Sequence, residues 1–215
     1  VGTDSMLLGS FIDVASAKSG LDLGAGTGVL SLMLAQKSKL LNIDAIEQDA
    51  LSFDECHLNF QNSPWSNRLV THLGSYFTFR FEKKYDLIFS NPPFYLEKEA
   101  NTKTSNVIGK HTSLDEFQKF AFLVKNQLSL TGYFWIIVPY SVYKLINDVG
   151  IFNPLKINYL YKIHSKLNKL NSRMVIGFSH LEKEAIVKEL VVRNEDNTYS
   201  DDYVKLTKDF HYNKL

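Results

Sequence analysis

The sequence predicts an α/β fold whose mostly parallel sheet ends in an antiparallel hairpin. Short apolar runs alternate with segments of helical period as far as Val138, the pattern of strands joined by crossover helices. The first run leads into a glycine-rich turn, Asp22-Leu23-Gly24-Ala25-Gly26-Thr27-Gly28. The last two runs, Ile157 to Ile163 and Met174 to Phe178, are joined by a short polar loop with no helix between them, which calls for antiparallel pairing. At 215 residues, 45% of them hydrophobic, the chain is expected to form one domain over 1–215.

Each element has its own signal. A strand at Leu21 to Leu23 feeds the glycine turn and a helix from about Gly28 to Lys37. Asn42 to Ile46 is a second strand, followed by Glu47 and a helix over about Ala50 to Asn62. Arg68 to Leu73 and Tyr85 to Ser90 are the third and fourth strands. Ser113-Leu114-Asp115-Glu116 has capping-box spacing, and Leu114, Phe117, Phe120, Ala121, Val124 and Leu128 repeat at helical intervals. Tyr133 to Val138 is the fifth strand, and the hairpin follows.

Composition narrows the function classes. The formal net charge of +1 supplies no global basic field, so a nucleic-acid partner would have to be held by local patches. The lone cysteine, Cys56, forms no intrachain disulfide and suits a reducing compartment, where it is expected to be a buried thiol. There is no apolar run of membrane-spanning length and no signal-peptide pattern, so a soluble, cytoplasmic protein with no membrane partner is expected. The six histidines show no metal-ligand spacing, and no metal is expected. The chain opens at Val1 rather than methionine, so further residues are expected upstream.

The chemistry lies in Asn91-Pro92-Pro93-Phe94, which closes the fourth strand. The exocyclic amine of a planar base is a poor nucleophile because its lone pair is delocalised into the ring. Two acceptors against its N–H groups localise that pair and aim it at an electrophile. The Asn91 side-chain carbonyl and the Pro92 backbone carbonyl can supply them, on a loop that two prolines stiffen. Phe94 offers a face on which an unstacked base can lie. A plain strand-exit turn uses the same residue types, but ligands of open α/β sheets sit at the carboxyl ends of the strands, where this motif and the glycine turn meet. The glycine spacing, Gly24-x-Gly26-x-Gly28, departs from the G-x-G-x-x-G dinucleotide fingerprint and counts against NAD. Glu47, ending the second strand, is placed to accept from ribose hydroxyls.

Asp22 to Gly28, Glu47 and Asn91 to Phe94 resemble the motifs of class I S-adenosylmethionine-dependent methyltransferases, in the branch that methylates planar amino groups. Val1 to Gly9, Ser63-Pro64-Trp65, Asn91 to Tyr95, Val192-Arg193 and Tyr199-Ser200 are similar to the bacterial tRNA1(Val) (adenine37-N6)-methyltransferase group, over nearly the whole chain. The resemblance implies a Rossmann-like, seven-stranded mixed sheet, S-adenosylmethionine as cofactor, and an adenine in the anticodon region of a tRNA as substrate; a monomer is expected. It further implies that Asp22 sits near the methionyl amino group and that Gly24, Ala25, Gly26, Thr27 and Gly28 lie against the cofactor. Glu47 would hold the ribose. Thr3 and Asp4 would cover the methionyl end, although a helix N-cap accounts for them equally. Asn91, Pro92 and Phe94 would carry catalysis, with Phe94 and Tyr95 at the target base. Where such enzymes commonly place an Asp after the third strand, this chain has Gly74-Ser75, leaving Ser75 as the cofactor-adenine contact.

Two segments bear on the substrate. Leu96 to His111 is polar, with Lys98, Lys103 and Lys110, and reads as a lid or a plain connection. Val149 to Leu181 lacks Asp and Glu but holds Lys156, Lys162, Lys166, Lys169 and Arg173. If the sixth strand runs parallel to the others, the loop bearing Lys166, Lys169 and Arg173 emerges beside Asn91 and suits an RNA backbone. Alternatives are methylation of guanine N2 or of a protein glutamine amide, and a noncatalytic RNA-binding module that keeps the fold.

Overall fold

A computed structural model describes residues 2–92, 108–167 and 172–211, with the backbone alone at 108–113. Phe94, Tyr95, Lys169 and most of the 96–111 segment lie outside the described residues.

Helix α1 (Thr3–Phe11) precedes strand β1 (Ser19–Leu23), α2 (Val29–Lys37), β2 (Asn42–Glu47), α3 (Ala50–Gln61), β3 (Leu69–Leu73) and β4 (Tyr85–Ser90). Then come α4 (Ile108–Gln127), β5 (Leu128–Pro139), α5 (Tyr140–Val149), β6 (Lys156–Lys166), β7 (Arg173–Ser179), β8 (Ile186–Arg193) and α6 (Asp201–Thr207). The strands form one sheet in the order β3-β2-β1-β4-β5-β7-β6-β8. From β3 to β5 all pairs are parallel, while β7 runs antiparallel to both β5 and β6. Strand β6 therefore points the same way as β4, and its end at Lys166 falls on the edge that carries Asn91.

The sheet has eight strands, against the seven expected. The extra strand is β8, paired parallel to β6. Its first four residues, Ile186 to Glu189, are exposed, so this edge strand lacks the apolar run that marks the others. Helices α5 and α6 are also additions to the expected elements, and α4 begins at Ile108, ahead of the capping-box spacing at Ser113.

Two hydrophobic layers cover the sheet. One joins Leu7, Leu8 and Ile12 to Leu30, Leu34, Cys56, Phe60, Trp135 and Tyr203. The other packs Phe120, Ala121 and Val124 with Ile88, Phe134, Ile136, Val142 and Ile146. Fully buried side chains of this size each stabilise the fold by roughly 1.5–3 kcal/mol, so helices on both faces are held mainly by burial. Helix α1 is fixed at several points. Phe11 stacks on Tyr161 with ring centroids 4.1 Å apart. The Lys37 ammonium donates to the carbonyls of Gly9 and Ser10, at 3.1 and 3.0 Å, and to that of Ile12. A cation at the carboxyl end of a helix satisfies its last carbonyls and complements its dipole.

Candidate methyl-transfer site

The carboxyl ends of β1, β2 and β4 bring the sequence motifs to one crevice. Gly24 and Gly26 adopt positive φ angles of 76° and 55°. A Cβ on either would meet nothing within 4 Å, so open space lies over the loop where a ligand can approach its backbone. Gly28 differs. A Cβ there would lie 2.6 Å from Phe60 and 2.7 Å from the Cys56 sulfur, so the absence of a side chain lets α3 pack against the turn. Cys56 itself is buried, and burial pushes its thiol up to about 12, with the charges of Asp22 and Glu47 adding to the effect.

Glu47 laces the glycine loop. Its Oε2 accepts from the Gly26 N–H at 2.7 Å, while Oε1 accepts from Gln48 and Asp49 N–H at 2.8 and 2.9 Å. A carboxylate offers about four acceptor sites, so these three bonds leave capacity for a further donor. The loop closes further as Gly24 and Ala25 N–H both donate to the Ile46 carbonyl at 3.0 Å. Ser75 forms a turn in which its hydroxyl accepts from Phe77 N–H at 3.3 Å, which leaves its own O–H able to donate to a purine nitrogen.

Asp22 is wholly buried. Its Oδ2 accepts from the Ser31 hydroxyl at 2.7 Å, and Oδ1 has no hydrogen-bond partner among the described residues. Burial raises its pKa to about 7, against the lowering effect of Ser31, and the Glu47 charge adds to the rise. A buried, half-satisfied carboxyl calls for a positive or donating partner. The orphaned oxygen and the open glycine turn together fit a ligand with a ribose and an ammonium group.

The end of β4 is pinned to the end of β1 by the Ser90 hydroxyl, which donates to the Leu23 carbonyl at 2.6 Å. Asn91 follows at once, half-buried, and its Nδ2 donates to the Ser5 hydroxyl of α1 at 3.1 Å. Neither Ser5 nor Ser31 stood out in the sequence. Thr3 and Asp4 do not cap α1, whose N-cap is Gly2. Asp4 instead pairs with Arg173, Nε to Oδ2 at 2.9 Å, and the Arg173 Nη1 donates to the Ser172 carbonyl at 3.0 Å. Arg173 is thus engaged within the fold. Lys166 donates to the Glu195 carbonyl at 3.1 Å, the flexible end of a cation that keeps two further donors.

The segments nearer the carboxyl end act as scaffold. Arg193 lies over the Tyr199 ring at 4.2 Å, Tyr199 stacks on Tyr203 at 4.8 Å, and the Ser200 hydroxyl caps α6. Thr3, Trp65, Tyr199 and Tyr203 converge on a groove of about 370 Å³ along α2. Among the described residues there is no cluster of His, Cys, Asp or Glu that could hold a metal, and no helix long and apolar enough to cross a membrane.

A parallel core ordered 3-2-1-4-5 with an antiparallel strand beside it, a glycine turn after β1 and an acidic residue ending β2 define the fold of the class I S-adenosylmethionine-dependent methyltransferases. Comparison with known proteins agrees. Residues 1–138 match the methyltransferase small domain family. A tRNA1(Val) (adenine(37)-N6)-methyltransferase of Aliivibrio fischeri is 34% identical over 99% of this chain and 91% of its own length. The chain belongs to the methyltransferase small domain family and, within it, to the family of the tRNA1(Val) (adenine(37)-N6)-methyltransferases. Two solved structures share the fold. One, from Agrobacterium tumefaciens and described as a predicted O-methyltransferase, superposes with a TM-score of 0.73 over 96% of both chains at 14% identity. The other, the glycopeptide N-methyltransferase MtfA complexed with S-adenosylmethionine, gives 0.56 over 78% of this chain and 89% of its own at 8% identity.

Proposed function

We propose that this protein transfers the methyl group of S-adenosylmethionine to the exocyclic N6 of adenine 37 in tRNA1(Val). The observation that carries the reading is the Ser90 to Leu23 bond, which sets Asn91 beside the glycine turn at one edge of the sheet. The residues of the chain then divide the work. Gly24 to Thr27 offer backbone to the cofactor, Glu47 accepts from its ribose, Ser75 donates to its adenine, and Asp22 faces its methionyl ammonium. When bound, S-adenosylmethionine supplies an electrophilic methyl group on a sulfonium centre.

Asn91 Oδ1 and the Pro92 carbonyl accept the two N–H groups of the target amine, returning its lone pair to nitrogen and aiming it. Phe94 and Tyr95 provide the stacking surface for the flipped base. No side chain need act as a base, because the alkylated nitrogen carries the surplus proton and releases it to water. Lys166, at the end of β6, and Lys169 take RNA phosphates. Arg173 joins Asp4 in holding α1 over the site. The 215 residues act as one domain, as a monomer in the cytoplasm and without a metal.

Two measurements test this. Mass spectrometry of ribonuclease fragments of tRNA1(Val) from cells with and without the protein should show N6-methyladenosine at position 37 only when it is present. Asn91→Ala should bind S-adenosylhomocysteine normally yet lose roughly a hundredfold to a thousandfold in methylation rate, the usual effect of removing one preorganised polar group. A wild-type rate in that variant would refute the role of Asn91 even with the substrate correctly named.

A further inference from the structure

We propose that Ser5 is a positioning residue that holds the plane of the Asn91 carboxamide; the proposal rests on the reading of Asn91 as the acceptor for the target amine. A carboxamide carries an acceptor on one side and two donors on the other, and its two orientations are nearly isosteric. Only the orientation with Oδ1 toward the crevice can accept a hydrogen from the amine. The reverse would set N–H against N–H. In the structure Nδ2 donates to the Ser5 hydroxyl at 3.1 Å, which turns Oδ1 to the other side. Among the described residues, Ser5 is the only hydrogen-bond partner of this side chain. Without it, no hydrogen bond from a described residue sets the terminal torsion of Asn91, and a broad two-fold torsion of this kind is free to turn.

Ser5 stands on a helix whose position is fixed from several directions. Leu7 and Leu8 beside it are buried. One residue before it, Asp4 pairs with Arg173 at the start of β7, and Arg173 lies in register with Pro139 of β5, next to β4. At the other end Lys37 holds the last carbonyls of α1, and Gly9 lies so close to Met33 that a Cβ would come within 2.6 Å of it. A hydroxyl held on a fixed helix transmits that rigidity to the group it touches, which is what a catalytic acceptor needs. A hydroxyl can also donate, so Ser5 holds the plane of the carboxamide in either sense, and the two N–H groups of the incoming amine select the arrangement with Oδ1 toward them.

The test uses the whole chain. In the ¹⁵N-labelled protein with S-adenosylhomocysteine, the Asn91 side-chain NH2 signal is identified by its loss in Asn91→Ala. It should exchange slowly with water in wild type and in Ser5→Thr, and fast in Ser5→Ala. In single-turnover methylation of a tRNA transcript, Ser5→Ala should be about tenfold slower, the upper range for one neutral hydrogen bond, and Ser5→Thr should recover most of that rate. Affinity for S-adenosylhomocysteine should not change, and in an Asn91→Ala background Ser5→Ala should have no further effect, because the two act through one contact. The proposal is overturned by equal NH2 exchange in wild type and Ser5→Ala, by an undiminished effect of Ser5→Ala in the Asn91→Ala background, or by cofactor affinity falling in step with the rate. If wild type methylates no adenine in tRNA, the reading of the preceding subsection fails, while the exchange comparison still decides what Ser5 does.

Discussion

Replacing Asp22 with asparagine should change how the stability of the ligand-free protein depends on pH, and the size of the change follows from its surroundings. The carboxyl is fully buried, with the Ser31 hydroxyl on one oxygen, no partner among the described residues on the other, and Cys56 and Glu47 nearby. Burial raises its pKa from 3.8 to about 7. Between those values the folded state holds a proton that the unfolded state has lost, so stability falls as pH rises. The contribution is complete below the unfolded value and gone above the folded one. Each tenfold in the proton equilibrium is worth about 1.4 kcal/mol. From about pH 5.5 to about pH 8, wild type should therefore lose on the order of 2 kcal/mol that Asp22→Asn keeps. Urea unfolding of both proteins across that range measures the difference, in which every group common to the two cancels. Parallel curves would show that Asp22 does not retain its proton in the fold, and the argument from its burial would fail. A methionyl ammonium beside Oδ1 favours the ionised carboxylate, so the affinity of wild type for S-adenosylhomocysteine should rise through the same window and that of Asp22→Asn should not.

Other substitutions separate the parts of the site. Glu47→Ala should weaken S-adenosylmethionine and S-adenosylhomocysteine alike by about 1.5–3 kcal/mol for the lost charged acceptor, and by more if the glycine turn relaxes without its bond to Gly26; unchanged affinity by calorimetry would remove Glu47 from the site. Gly28→Ala should destabilise the protein by about 2–4 kcal/mol, through the contacts with Phe60 and Cys56 and the positive φ, as read by thermal unfolding; a neutral result would mean that α3 can move aside. Neutralising Lys166 and Lys169 together should flatten the salt dependence of tRNA binding, with log affinity against log salt losing somewhat under about one in slope per phosphate contact. Cofactor affinity should be unaffected, and an unchanged slope would make both lysines ordinary surface.

The parts of this molecule that could be read from its sequence are those whose signal is local. The glycine turn, the strand before Asn91 and the hairpin declare themselves because apolar period and turn residues lie next to one another in the chain. Strand β8 carries no such signal, because half of it faces water at a sheet edge, where Ile186-Val187-Lys188-Glu189 has no alternation to read. Thr3 and Asp4 admit two readings from sequence, a cover for the methionyl end or a helix N-cap; the N-cap of α1 is Gly2, and Asp4 pairs with a residue 169 positions away, a partner no local pattern announces. The same limit applies at the site. Motif residues were legible as a set, but the contacts that orient them join Ser5 to Asn91, Glu47 to Gly26 and Ser31 to Asp22, pairs chosen by the packing of whole helices on the sheet. Gly28 shows the consequence, since spacing alone grouped it with Gly24 and Gly26 as ligand backbone. Its Cβ direction assigns it to the core. A glycine motif is thus a composite, in which some positions clear room for the cofactor and another lets α3 approach the turn, and only the direction in which each missing side chain would point tells them apart.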